Sequence, residues 1–164
     1  MSYFDIRSVR VLVVDDSRMA RNFISRVLSN LGIEKITQVT DGSEAIEILG
    51  HEMFDLVVTD YKMPEVNGEE LTRFIRTQSG QSHIPILMVS SLTSDDAPTT
   101  MQAIEHGAID YVAKPGTFNV GLNITGASIE EKIIQLSNMS KRKLDRMLRA
   151  QSTRSRVVEY EPVA

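Results

Sequence analysis

Four short apolar runs stop abruptly on polar or charged residues, and that pattern constrains the fold of this chain more than any other feature. Val11-Leu-Val-Val14 stops on Asp15-Asp16, and Leu56-Val-Val-Thr59 stops on Asp60, with Pro64 in the turn that follows. A third run stops on Ser90 and a fourth on Lys114-Pro115. Runs of this length read as strands buried on both faces of a parallel sheet. Parallel strands present their C-terminal ends along one edge, where open α/β sheets bind ligands. Three carboxylates, a hydroxyl and an ammonium are therefore expected to converge there.

Helical patterns alternate with these runs. Strand one is expected at Arg10–Asp15. Ser17 caps a first helix with Ala20, Phe23, Ile24, Val27, Leu28 and Leu31 at helical spacing, stopped by Gly32. Lys35–Thr40 is a second strand. Asp41 and Glu44 form a capping-box-like start to a second helix, with Ala45, Ile48 and Leu49 inward. Asp55–Thr59 is strand three. Gly68–Gln78 is a third helix that buries Leu71, Phe74 and Ile75. Strand four runs Ile84–Ser90, with Pro85 tolerated only near its start. A fourth helix is expected over 95–106, with Pro98 in its first turn and Gly107 as its stop. Strand five is Ile109–Ala113. Gly116–Gly126 interrupts the rhythm, and a fifth helix begins near Ser128, with apolar spacing extending through Leu144 and Leu148. This order predicts an α/β fold: a flavodoxin-like (βα)5 doubly wound parallel sheet with strand order 2-1-3-4-5. Residues 1–150 are expected to form one domain, and 151–164 a tail or interdomain linker.

The 164 residues are 41% hydrophobic and 24% charged, enough to bury an ordinary single core. With no cysteine, disulfides, zinc–thiolate sites and cysteine nucleophiles are excluded. No segment approaches a membrane span or a cleavable leader, so a cytoplasmic protein without membrane contact is expected. The net charge of −4 is uneven: residues 1–120 carry 10 Lys/Arg against 17 Asp/Glu, and residues 121–164 carry 8 against 5. The basic part has a single aromatic residue, Tyr160, and no DNA-binding motif, so it reads as a solvated helix face and tail.

The edge residues suit one chemistry. Mg²⁺ prefers oxygen ligands, which Asp15, Asp16 and Asp60 can supply together with a backbone carbonyl just after Asp60, that of Lys62. A carboxylate can also attack a phosphoryl group to form an aspartyl phosphate, and Asp60 is the best placed to do so. Lys114 would neutralise one phosphoryl oxygen and Ser90 would donate to another.

Asp15-Asp16, Asp60-x-x-Met63-Pro64-x-x-x-Gly68, Ser90 and Lys114-Pro115, each after its strand, resemble the receiver domain of two-component response regulators over about residues 8–150. The resemblance implies that Asp60 is the phosphoacceptor for a phosphohistidine on a sensor histidine kinase. It implies that Asp15, Asp16, Asp60 and the Lys62 carbonyl hold Mg²⁺, that Lys114 contacts the phosphoryl group, and that the Lys114–Pro115 bond is cis. It also makes Ser90 and Tyr111 the switch pair. Ser90 would be drawn toward the phosphoryl group, Tyr111 would rotate inward, and the surface of the fourth helix, fifth strand and fifth helix would change. A phosphorylation-dependent dimer would be a further partner state.

Met88-Val-Ser-Ser-Leu-Thr93 and Gly107-Ala-Ile-Asp-Tyr-Val-Ala-Lys-Pro115 further resemble the receiver half of chemotaxis protein-glutamate methylesterases. No G-x-S-x-G nucleophile elbow occurs in the chain, so the chain itself is expected to be regulatory, not an enzyme. It reads either as the regulatory part of a methylesterase, joined to a C-terminal catalytic domain, or as a standalone receiver. An aspartyl-phosphate phosphatase of the haloacid dehalogenase type is disfavoured, because those enzymes place D-x-D after strand one and here the acids are adjacent. A flavin or nucleotide module lacks its glycine-rich motifs. Direct DNA binding is not expected, because the residues after the fifth helix are too few to form a DNA-binding domain.

Overall fold

The computed structural model describes residues 5–78, 81–90, 107, 110–113, 122–139, 146 and 149–150. Five strands form one parallel sheet: β1 (Arg10–Val14), β2 (Lys35–Val39), β3 (Leu56–Thr59), β4 (Ile86–Ser90) and β5 (Asp110–Ala113). Their order is β2-β1-β3-β4-β5, the doubly wound order expected from the sequence. A 3-10 turn, Ile6–Ser8, precedes β1, and the long described helices are α1 (Arg18–Asn30), α2 (Gly42–Leu49), α3 (Gly68–Thr77) and α4 (Leu122–Ser137). The last is the fifth helix of the sequence reading. The expected helix over 95–106, and the Lys114–Pro115 bond, lie outside the described residues.

Alternation along the strands divides the core between the two faces of the sheet. Val11 and Val13 of β1, with Leu56, Val58, Leu87 and Val89, pack against Ile24 and Leu28 of α1 and Ile129 and Ile133 of α4. Leu12 and Val14, with Val57, Ile86 and Met88, pack against Ala45 and Leu49 of α2 and Leu71 and Ile75 of α3. Both faces are apolar because helices cover both, which is why the strands read as continuous apolar runs. Phe23, Leu31, Ile48 and Phe74, expected inward, pack at the margins as partly buried residues.

The helix starts follow local hydrogen bonding. The Ser17 hydroxyl accepts the Ala20 N–H at 3.2 Å, the cap expected from sequence. At α2, Asp41 accepts the Glu44 N–H at 2.9 Å, but the Glu44 carboxylate turns to the Thr40 hydroxyl and N–H, so the reciprocal half of the expected box is absent. The complete capping box is at α3: Glu70 N–H donates to Asn67 Oδ1 at 2.9 Å, and Asn67 N–H donates to Glu70 Oε1 at 3.3 Å.

The bounds of β4 and α4 differ from the sequence reading in an informative way. Pro85 precedes β4 and contributes only its carbonyl, which accepts the Val57 N–H at 3.0 Å. Helix α4 begins at Leu122, inside the stretch read as a break, and ends at Ser137; Arg146, Arg149 and Ala150 are helical again, while Leu144 and Leu148 lie outside the described residues. Gly126 costs a helix about 1 kcal/mol in propensity. Burial of Ile129, Ile133 and Leu136 outweighs that local preference.

Candidate functional site

The register of the central strands builds the site. Val14 of β1 pairs with Thr59 of β3, so Asp15 and Asp60 are the next pair along the ladder. Both continue the sheet's hydrogen bonding: Asp60 N–H donates to the Val14 carbonyl at 2.8 Å, and Asp15 N–H donates to the Val39 carbonyl at 3.3 Å. Carboxylate oxygens of Asp15, Asp16 and Asp60 all lie within 4.8 Å of one another. Asp15 is fully buried, Asp60 is 5% exposed, and Asp16 opens to solvent. Two acids of the cluster are thus buried at the strand ends and the third faces solvent.

Neighbouring groups set its geometry. Asp15 Oδ1 accepts the Ser17 N–H at 2.9 Å, and the Arg21 guanidinium donates to the Asp15 carbonyl at 2.7 Å. Asp60 Oδ1 accepts the Tyr61 N–H at 2.8 Å, and the Thr59 hydroxyl donates to the Asp60 carbonyl at 3.0 Å. The loop after Asp60 turns sharply, with Glu65 at φ 65° and the Gly68 N–H donating to the Tyr61 carbonyl at 2.8 Å. It packs on α2 at Gly42, where a Cβ would lie 2.5 Å from the Val66 carbonyl oxygen.

Of the residues singled out in sequence, the structure brings Asp15, Asp16 and Asp60 together, and Lys62 lies exposed in the loop that follows. Ser90 ends β4 opposite Ala113, and Tyr111 pairs with Met88, which puts the two backbones on adjacent strands, two register positions apart. The side chains of Ser90 and Tyr111, and all of Lys114, lie outside the described residues. Arg21 and Tyr61 escaped the sequence reading. Arg21 reaches back from the first turn of α1 in a geometry no spacing rule flags, and Tyr61 orients Asp60 through its backbone N–H.

Three hard oxygen donors in this space, two of them shielded from bulk water, match the preference of a small divalent cation. The comparisons with known proteins agree with the architecture. The response regulator receiver domain family matches residues 11–124. The chain belongs to that family. This receiver domain is 35% identical over 153 residues to a protein-glutamate methylesterase/protein-glutamine glutaminase of Halobacterium salinarum, covering 93% of the chain and 40% of the relative. A Bacillus licheniformis protein of the same name is 38% identical over 128 residues, covering 77% of the chain and 35% of the relative. The receiver domain therefore spans well under half of these relatives. Among solved structures, the response regulator domain of Thermotoga maritima CheB superposes with a TM-score of 0.69 at 31% identity, covering 80% of this chain and 98% of that one. The chemotaxis response regulator CheY4 of Vibrio cholerae gives 0.66 at 26% identity, covering 78% and 98%. No described helix of the receiver domain is long and apolar enough to cross a membrane.

Proposed function

We propose that the chain is a Mg²⁺-dependent phosphoacceptor switch in which Asp60 takes a phosphoryl group from a phosphohistidine of a sensor kinase. The observation that carries this reading is the meeting of Asp15, Asp16 and Asp60 within 4.8 Å, with Asp60 buried at a strand end. Asp15, Asp16, Asp60 and the Lys62 carbonyl would hold the ion. When bound, Mg²⁺ offsets the repulsion among the acids and neutralises phosphoryl oxygens. Asp60 forms a new O–P bond as the donor's N–P bond breaks, and the bonding pair leaves with the imidazole nitrogen. The hydrogen bond from Tyr61 holds the Asp60 carboxylate in orientation for this attack. Lys114 balances a second phosphoryl oxygen, and the Ser90 hydroxyl donates to a third. Their positions at the ends of successive strands support these roles.

The switch then passes from Ser90 to Tyr111 on β5, changing the surface formed by residues 95–106, β5 and α4. The similarity to methylesterases favours a cytoplasmic chemotaxis role, with residues 1–150 as the regulatory domain, 151–164 as a linker, and a methylesterase domain as the output. The second reading is a standalone receiver, with the kinase as its principal partner and a dimer as its phosphorylated state.

Intact-mass spectrometry after acetyl phosphate treatment tests the chemistry. One phosphoryl group per chain, only with Mg²⁺ and absent in Asp60→Asn, is the expected result. Labelling of Asp60→Asn at the wild-type rate would overturn it, and repeated turnover of small phosphate esters would point to a phosphatase instead.

A further inference from the structure

Arg76, in the last turn of α3, makes a set of contacts that the proposed switch does not use. Its Nε donates to the Gly107 carbonyl at 3.0 Å, and Nη2 donates to the same oxygen. Its Nη1 donates to the Ser82 carbonyl at 3.2 Å and to the Ile84 carbonyl at 2.6 Å. One planar fork therefore holds the chain just before β4 and just before β5. Gly107 is shaped for this contact: its φ is +113°, and a Cβ there would lie 3.0 Å from both Cγ and Nε of Arg76.

Burial pushes the guanidinium down to about 10, and no carboxylate pairs with it among the described residues. Among the described residues its charge is met by the carbonyl dipoles of Ser82, Ile84 and Gly107. A methionine would fill the same space without desolvating a cation. What it would not do is grip three carbonyls from two segments at once.

We infer that Arg76 is an anchor that fixes the start of β5 relative to β4 and α3, so that the backbone of β5 keeps its place beside β4 when the switch operates. The anchoring stands on its own contacts; its consequence for switching rests on the phosphoacceptor reading. Tyr111 would then respond by side-chain rotation on a strand that stays in register with Met88.

Amide hydrogen exchange on the wild type, Arg76→Met and Arg76→Lys tests this. In Arg76→Met, exchange at residues 110–113 should rise about ten-fold more than at Leu56–Thr59 of β3, with Arg76→Lys intermediate. Equal rises in both strands would mean general loss of stability and would overturn the anchor. Should Arg76→Met fail to fold, the same comparison on Arg76→Lys decides. With Mg²⁺ and beryllofluoride, wild-type amides of 110–113 should stay within about two-fold of their unliganded rates. A larger change would overturn the fixed strand. If amides between Asp60 and Gly68 do not respond to beryllofluoride, the phosphoacceptor reading fails, and the unliganded comparison alone judges the anchor.

Discussion

A Cβ on Gly68 would stand 2.4 Å from the carbonyl oxygen of Asp60, so the first turn of α3 lies directly against the backbone of the proposed phosphoacceptor. The same Cβ would meet Met88 Sδ at 2.8 Å and Tyr61 Cα at 3.0 Å. Met88 could shift, but the two backbone atoms could not. Gly68→Ala should therefore cost about 1–3 kcal/mol, as overpacking does, and displace the loop that carries Lys62. Urea midpoints would show the loss, and phosphorylation by acetyl phosphate should slow in parallel. Wild-type stability in this variant would contradict the close approach.

Asp16 is the exposed member of the acidic cluster, so its replacement removes a metal ligand without opening the core. At ten times its dissociation constant, Mg²⁺ should stabilise the wild type by about 1.4 kcal/mol. Asp16→Asn should lose most of that gain while melting like the wild type in EDTA. Thermal melts with and without Mg²⁺ make the comparison, and equal gains in the two proteins would remove Asp16 from the metal site.

The reciprocal bonds between Asn67 and Glu70 hold the start of α3. Asn67→Ala should cost about 1 kcal/mol. Asp41→Ala at α2 should cost a similar amount, since Asp41 also accepts an N–H. Glu70→Ala should then be more harmful than Glu44→Ala, because Glu70 closes a capping box while Glu44 turns to Thr40. Chemical denaturation of the four variants checks the ranking.

Ile133 is fully buried between α4 and the sheet. Ile133→Ala should cost about 2–5 kcal/mol. Because Leu122–Ser137 docks as one helix, exchange protection should fall along the whole helix and not only near the cavity. A loss restricted to residues 129–137 would indicate that the helix begins later, near Ser128.

Much of the architecture was legible from local pattern. Strand and helix periods, the Ser17 cap and the acids at strand ends all depend on residues close in sequence, and among the described residues most appear where expected. The errors occurred where local preference and tertiary packing compete. Asp41-x-x-Glu44 looked like a capping box, yet Glu44 found a nearer partner in Thr40. Asn67-x-x-Glu70 was passed over and forms the box. Gly126 read as a break, and burial of the following isoleucines carries the helix across it.

The order of apolar runs and the acids that terminate them are properties of the chain alone, because periodicity and side-chain chemistry need no partner. Which acids share a pocket was decided by register: pairing of Val14 with Thr59 sets Asp15 beside Asp60. The approach of Gly68 to Asp60 and the grip of Arg76 on Gly107 likewise exist only once helices are docked on the sheet. Such contacts join residues far apart in sequence through a few ångströms of space, and no local pattern encodes that distance.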